Sequence, residues 1–205
     1  MAQYFQIHPT HPQPRLIRRA VEIVRAGGVI VYPTDSSYAL GCHIGDKDAM
    51  ERIRRIRLVD ARHNFTLVCR DLSEVAQYAR VANADYRLLK ANTPGPYTFI
   101  LPATRDVPRR LQHAKRKTIG LRVPQHAVAQ AILAELGEPL MSSTLIMPGE
   151  QLPLSDPGDM RARLEHQVDL VVDGGFCGLE PTTVLELEDG RATLLRQGRG
   201  QAPAG

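Results

Sequence analysis

Tryptophan is absent from this sequence, aromatic residues make up only 5% of it, and cysteine occurs three times, at Cys42, Cys69 and Cys177. An odd number of widely spaced cysteines without a CxxC pair excludes a disulfide framework and argues against structural zinc. Reduced thiols in the cytoplasm fit better, with Cys42 and Cys69 as small core side chains rather than nucleophiles. Long hydrophobic runs are missing too. The opening stretch MAQYFQIHPTHPQPRL has no apolar core of signal-peptide length, and apolar runs elsewhere are strand-sized, so the expectation is a soluble, cytoplasmic protein with no membrane partner. The sequence also lacks a P-loop, a Rossmann fingerprint, an HExxH helix and a GxSxG elbow.

What is present is the composition of a globular protein: 205 residues, 43% hydrophobic, with 26 Lys+Arg against 22 Asp+Glu. That excludes intrinsic disorder and suits one α/β domain over 1–205 that needs no metal or disulfide to fold. Apolar residues at helical spacing from Leu16 to Val24, stopped by Gly27-Gly28, predict a helix over 14–26. The run Val29-Ile30-Val31-Tyr32, ended by Pro33, predicts a buried strand feeding the polar loop 34–37. Asp46 is placed to cap a helix over 47–57. Further strands are expected over 65–69, 97–101, 118–123, 140–143, 170–172, 183–187 and 192–196. Helices are expected over 72–78, 84–91, 127–136 and 157–166. Short turns between the late strands, Asp189-Gly190 among them, predict a mixed sheet. The Gly- and Pro-rich tail 198–205 reads as disordered.

The net charge is only +4, but the basic residues cluster. One group holds Arg52, Arg54, Arg55, Arg57 and Arg62; the other runs from Arg105 through Arg109, Arg110, Lys115, Arg116 and Lys117 to Arg122. Such clusters are either solvated faces or a footprint for an anionic partner. Chemistry is concentrated in loops rich in hydroxyls, glycine and arginine: YPTDSSYALG, TPGPYT, GLRVP, SST, PTTV and RQG. These groups can hold phosphates and carboxylates without a Walker loop, although each alone is also an ordinary turn or cap. Asp35 is either a turn former or a residue placing water or metal, and His63 either a plain loop residue or a phosphate contact.

In that order along the chain, over about 14–200, the loops resemble the YrdC-like family, which shows a PTET-like loop, a PGxxT turn, an RxP strand end, STSAN and STV segments and a late RxG. The resemblance is greatest to its YciO branch, through PTDSSYALGC, HNFTLVCRDLSE, NTPGPYTFILPAT, KRKTIGLRVP and PTTVLEL. It implies a strongly twisted, open mixed α/β sheet flanked by helices, with a concave basic groove. It also implies synthesis of threonylcarbamoyl-AMP from threonine, bicarbonate and ATP, in tRNA modification, by a nucleotidyltransferase-like enzyme using Mg²⁺ that arrives with ATP.

Carried over by position, the resemblance places Thr34, Tyr38, Thr98, Arg122, Ser143 and Thr144 on the substrate side. It places Arg57, His63, Thr182, Thr183 and Arg196 on the nucleotide side, with Arg57, Thr34 and Thr144 nearest the chemistry. Two departures stand out. The family's KxR becomes Arg57 followed by Val59, with Arg55 or Arg62 as candidate replacements for the missing guanidinium. Its SxN becomes Thr144 followed by Ile146. A weak or altered synthase is one expectation. The alternatives are a protein binding tRNA or double-stranded RNA through Arg54, Arg55, Arg62, Arg109, Arg110, Lys115, Arg116 and Lys117, or a hydrolase removing threonylcarbamoyl groups from tRNA.

Overall fold

A computed structural model describes residues 1–203; Ala204 and Gly205, which complete the tail read above as disordered, lie outside the described residues. Among the described residues, ten strands form one open mixed sheet. They are β1 (Gln3–Gln6), β2 (Ile30–Pro33), β3 (Tyr38–His43), β4 (Thr66–Val68), β5 (Tyr97–Pro102), β6 (Thr118–Arg122), β7 (Leu140–Thr144), β8 (Leu170–Asp173), β9 (Thr183–Glu188) and β10 (Arg191–Arg196). Their spatial order is β1-β8-β2-β3-β7-β4-β6-β5-β9-β10. The pairs β1/β8, β2/β8, β4/β6 and β5/β9 are parallel and the others antiparallel; the turn at Asp189-Gly190 joins the antiparallel pair β9/β10 as expected, whereas β8 lies between β1 and β2, away from β9.

Among the described residues, six α-helices flank the sheet: α1 (Pro14–Arg25), α2 (Lys47–Arg57), α3 (Leu72–Tyr78), α4 (Asn83–Asn92), α5 (Ala127–Leu136) and α6 (Pro157–Leu164). Their ends follow from local chemistry. Pro stands in the first turn of α1, Asp46 accepts from Ala49 N at the start of α2, and Gly137 adopts φ +73° at the end of α5.

Strand alternation divides the interior in two. Leu40, Leu67, Leu121 and Met141 face one side, where α2 buries Met50, Ile53 and Ile56. Tyr32, Ala39, Val68 and Leu140 face the other, beneath α1 and α5. Over β4, β6, β5 and β9 this second face is left to a cavity.

Two strands escaped the sequence reading. β3 follows the loop 34–37 over residues to which the sequence assigns no strand, because Ala39 and Gly41 carry weak strand preference, yet pairing on both sides with β2 and β7 buries it. β1 is a four-residue edge strand in polar surroundings. The tail also departs from expectation. Gly198 N donates to Thr183 Oγ1, Thr183 Oγ1 donates to Gly200 O, and Tyr97 Oη donates to Gln201 O, so the backbone is tied down through residue 201.

Candidate functional site

The cavity holds about 490 Å³. Its floor is built from alternate residues of five strands, with Thr182 standing just before the last of them: Thr66 and Val68, Gly120 and Arg122, Thr98 and Ile100, Ser142 and Thr144, and Thr182 and Val184. No Asp or Glu lines it among the described residues, while Arg57, Arg116, Arg122 and Arg196 do. A polar, hydroxyl-lined hollow with guanidinium groups and no carboxylate is chemically fitted to anions.

One wall is the loop after β2. The Thr34 hydroxyl donates to Ser37 O at 2.6 Å and accepts from Ser36 N and Ser37 N, which closes the turn on itself. Arg122, at the end of β6, donates through Nη1 to Ser36 Oγ and through Nη2 to Asp35 in a buried ion pair. The other Asp35 oxygen accepts from Gln125 N, and Arg122 Nε has no hydrogen-bond partner among the described residues. Asp35 is thus the counter-ion of Arg122.

The facing wall is centred on Arg57. Helix α2 ends directly after it, with Leu58 in the left-handed region at φ 50°. The Arg57 guanidinium donates through Nε to Ile146 O and through Nη1 to Ser143 Oγ at 2.7 Å. His63 Nε2 lies 2.9 Å from Ser143 Oγ and 3.2 Å from Arg57 Nη1. Burial, and then the neighbouring Arg57 and Arg54 charges, push the imidazole down to about 4 against the pull of Asp60. His63 is therefore neutral at pH 7 and is a hydrogen-bonding group here, without charge of its own. Burial also lowers the pKa of Arg57. Neither Arg55 nor Arg62 lines the cavity, so neither replaces the guanidinium missing at Val59; His63 stands beside Arg57 instead.

At the third side, Thr98 Oγ1 and Thr182 Oγ1 lie 2.8 Å apart, and Arg196 holds Thr182 through its carbonyl and its hydroxyl. Gly198 makes this possible: a Cβ there would stand 2.3 Å from Pro181 O and 2.4 Å from Thr182 O. Burial lowers the Arg196 pKa.

Two expected residues face elsewhere. Thr183 is fully buried with its hydroxyl spent on the tail, because alternation along β9 and the residue leading into it gives the cavity Thr182 and Val184. Tyr38 donates to Gly175 O and accepts from Gly174 N on the far side of β3, which presents Ala39 to the cavity. Ser36, Ser37 and Ser142 line the cavity from within the hydroxyl-rich loops, whereas Thr66 and Thr118 were missed, since only the register of β4 and β6 shows which hydroxyls share a face.

The basic clusters separate as well. Arg54 lies over the Phe65 ring at 5.3 Å, pairs with Glu51 and is mostly buried, so it is withdrawn from any nucleic-acid contact. Arg116 lines the cavity and pairs with Glu186 at 3.0 Å. Arg110 reaches Ile44 O at 3.4 Å. Arg55, Arg62, Arg109, Arg110, Lys115 and Lys117 are exposed. Both segments contribute to the cavity wall, the first through His63 and Asn64, the second through Leu111 and His113.

Among the described residues no group of three or more His, Cys, Asp or Glu is placed to hold a metal ion, and no helix is long and apolar enough to cross a membrane. Magnesium needs oxygen ligands such as carboxylates; none lines the cavity among the described residues, and Asp35 and Glu186 beside it are engaged by Arg122 and Arg116. The residues present do not form a magnesium cage.

The family model for the Sua5, YciO and YrdC domain, described as telomere recombination, matches residues 22–198. The YciO protein of Escherichia coli K12 is 59% identical over 200 residues, covering 98% of this chain and 97% of its own length. Its crystal structure superposes with a TM-score of 0.94, covering 98% of each chain. A threonylcarbamoyl-AMP synthase of Halorhodospira halophila is 31% identical over 185 residues, covering 90% of this chain and 95% of its own. The P. abyssi Sua5 structure, solved with L-threonine, is 24% identical with a TM-score of 0.87; the match covers 96% of this chain and 58% of that one, and shows a common fold. With the matched span running from within α1 to the residues that follow β10, this chain belongs to the Sua5/YciO/YrdC family.

Proposed function

We propose that this protein is an enzyme of threonylcarbamoyl-adenylate chemistry, joining threonine, bicarbonate and the AMP moiety of ATP with release of pyrophosphate. The observation that carries the reading is the cavity itself: hydroxyls of Thr98, Ser142, Thr144 and Thr182 on one strand-built floor, with Arg57 and Arg196 on its walls and no lining carboxylate. The 31% identity to a threonylcarbamoyl-AMP synthase supports it.

The chemistry needs no covalent protein intermediate. The threonine amine forms a C–N bond to bicarbonate carbon with loss of water. A carbamate oxygen then attacks the α-phosphorus, and the bond to the β-phosphate oxygen breaks. The chain's share is placement and charge: Thr98 and Thr182 donate to phosphate or carboxylate oxygens, and Arg57 and Arg196 stabilise charge on the transferring phosphoryl group. The expected outcome is threonine- and bicarbonate-dependent pyrophosphate release, with the adenylate detected by mass; no product in the complete mixture overturns the synthase reading.

A second reading, RNA binding, is favoured by the exposed cations of 55–62 and 109–117, whose segments both reach the cavity wall. Binding driven by phosphate contacts weakens steeply with salt. Salt-insensitive binding, or none, defeats it.

A further inference from the structure

We propose that a second hollow, at the carboxyl ends of β4 and β6, is a binding site for a small molecule with an apolar body and a single carboxylate. No residue lines both this hollow and the cavity described above, and the inference does not depend on what that cavity takes. Strands β4 and β6 run parallel and side by side, in register from Thr66 and Gly120 to Val68 and Arg122. The chain leaves β4 for α3, whose Val75 and Tyr78 join the core on one face of the sheet. It leaves β6 for α5, whose Val128, Ile132 and Leu133 join the core on the other. Neighbouring parallel strands whose connections depart to opposite faces leave a crevice beyond their ends, and open α/β sheets take ligands there. In this chain the crevice holds about 580 Å³ and is bordered on a third side by Lys90 at the end of α4 and by Thr93 and Pro94 in the loop that follows.

The lining has an apolar part and a charged part. Leu72, Pro94, Val123 and Pro124 supply hydrocarbon surface, and Arg70, Lys90 and His126 stand with them. Asp71 is the one lining carboxylate among the described residues, and it is committed: it accepts from Glu74 N at the start of α3 and pairs with Arg70 at 3.1 Å. With Arg70 matched in this way, Lys90 brings the unmatched charge, since no carboxylate pairs with it among the described residues. Burial, against the pull of Asp35, lowers the His126 pKa below 6.5, so the imidazole is neutral at pH 7. Its Nδ1 accepts from Val128 N, which leaves Nε2 to carry the proton as a donor. Hydrocarbon surface, one unmatched ammonium and one neutral donor together suit a monoanion with an apolar body. Burial of that body supplies affinity, and Lys90 selects a charged head over a neutral one. The second charge of a phosphate would meet no second unmatched cation here.

Titration of the ¹⁵N-labelled full chain with 3-phenylpropionate, with its neutral amide 3-phenylpropionamide and with inorganic phosphate, followed through backbone amide shifts, tests this. The acid is expected to shift amides within 70–72, 93–95 and 123–130 and to saturate at low millimolar concentration or below, with the amide and phosphate at least about fivefold weaker. Lys90 is exposed, so Lys90→Met is expected to stay folded, which circular dichroism checks. It is expected to lose about fivefold in affinity for the acid and nothing for the amide, and Lys90→Arg to keep most of the affinity for the acid. Equal affinity for the acid and its amide, or for the acid and phosphate, overturns the proposal. So does an affinity for the acid unchanged in Lys90→Met, a set of shifts centred on 142–144 and 182–184 in the other cavity, or no saturation by about 20 mM.

Discussion

At the level of single residues, the two departures from the family pattern carry unequal weight. Ile146 lines the cavity and its carbonyl holds Arg57, whereas Val59 lies outside the lining, just past the left-handed turn at Leu58. Ile146→Asn is therefore expected to add a neutral hydrogen bond to a bound substrate, worth about 1 kcal/mol, and to raise adenylate synthesis roughly fivefold. Val59→Arg alone is expected to leave the rate unchanged; pyrophosphate release by both variants checks the contrast. His63 offers a test of a different kind. Its pKa is pushed from 6.5 to about 4, so the unfolded chain binds a proton that the folded protein excludes. The stability this contributes is fully present above pH 6.5 and is lost as pH falls toward 4. Melting temperature measured across that window is expected to fall more steeply for the wild type than for His63→Gln.

At the level of elements, most helices and strands are legible in the sequence because their apolar spacing is regular and their caps are conventional. The helices expected over 47–57, 72–78 and 127–136 occupy those residues, and Asp46 caps the first of them as read. Replacing that cap, as Asp46→Ala, is expected to cost about 1 kcal/mol in urea unfolding. On the same helix Ile53 is fully buried, and Ile53→Ala is expected to cost about 2 to 5 kcal/mol. The site was less legible, for a physical reason. Neighbouring hydroxyls such as Thr182 and Thr183 are equivalent in a sequence, and only the strand that carries them decides which one enters the cavity. Ser143 and His63 are 80 residues apart, and Asp35 and Arg122 are 87 apart, so no local pattern announces either contact. Ser142 lies in a strand that is legible, but the face it shows is set by pairing with β3, to which the sequence assigns no strand.

At the level of the whole molecule, the segment after β10 behaves as part of the fold. Arg199 N donates to Pro181 O at the entrance of β9, and its guanidinium donates to Asp35 O at 2.7 Å and to Cys177 O at 3.2 Å. Arg199→Ala removes exposed contacts, so a stability loss below about 1 kcal/mol is expected. Amide hydrogen exchange is expected to speed up selectively at 34–37 and 175–178, and unchanged protection there would show that the contacts do not order those loops. The same contact constrains shape. In the sheet order β9 stands six positions from β2, a separation of about 29 Å if the sheet lay flat. One arginine side chain, with the two residues that lead from the end of β2 to Asp35, spans only a fraction of that. The sheet must therefore curve along its width until the loop after β2 comes within reach of the entrance of β9, like a trough with a stitch across it at Arg199 and the cavity in its hollow.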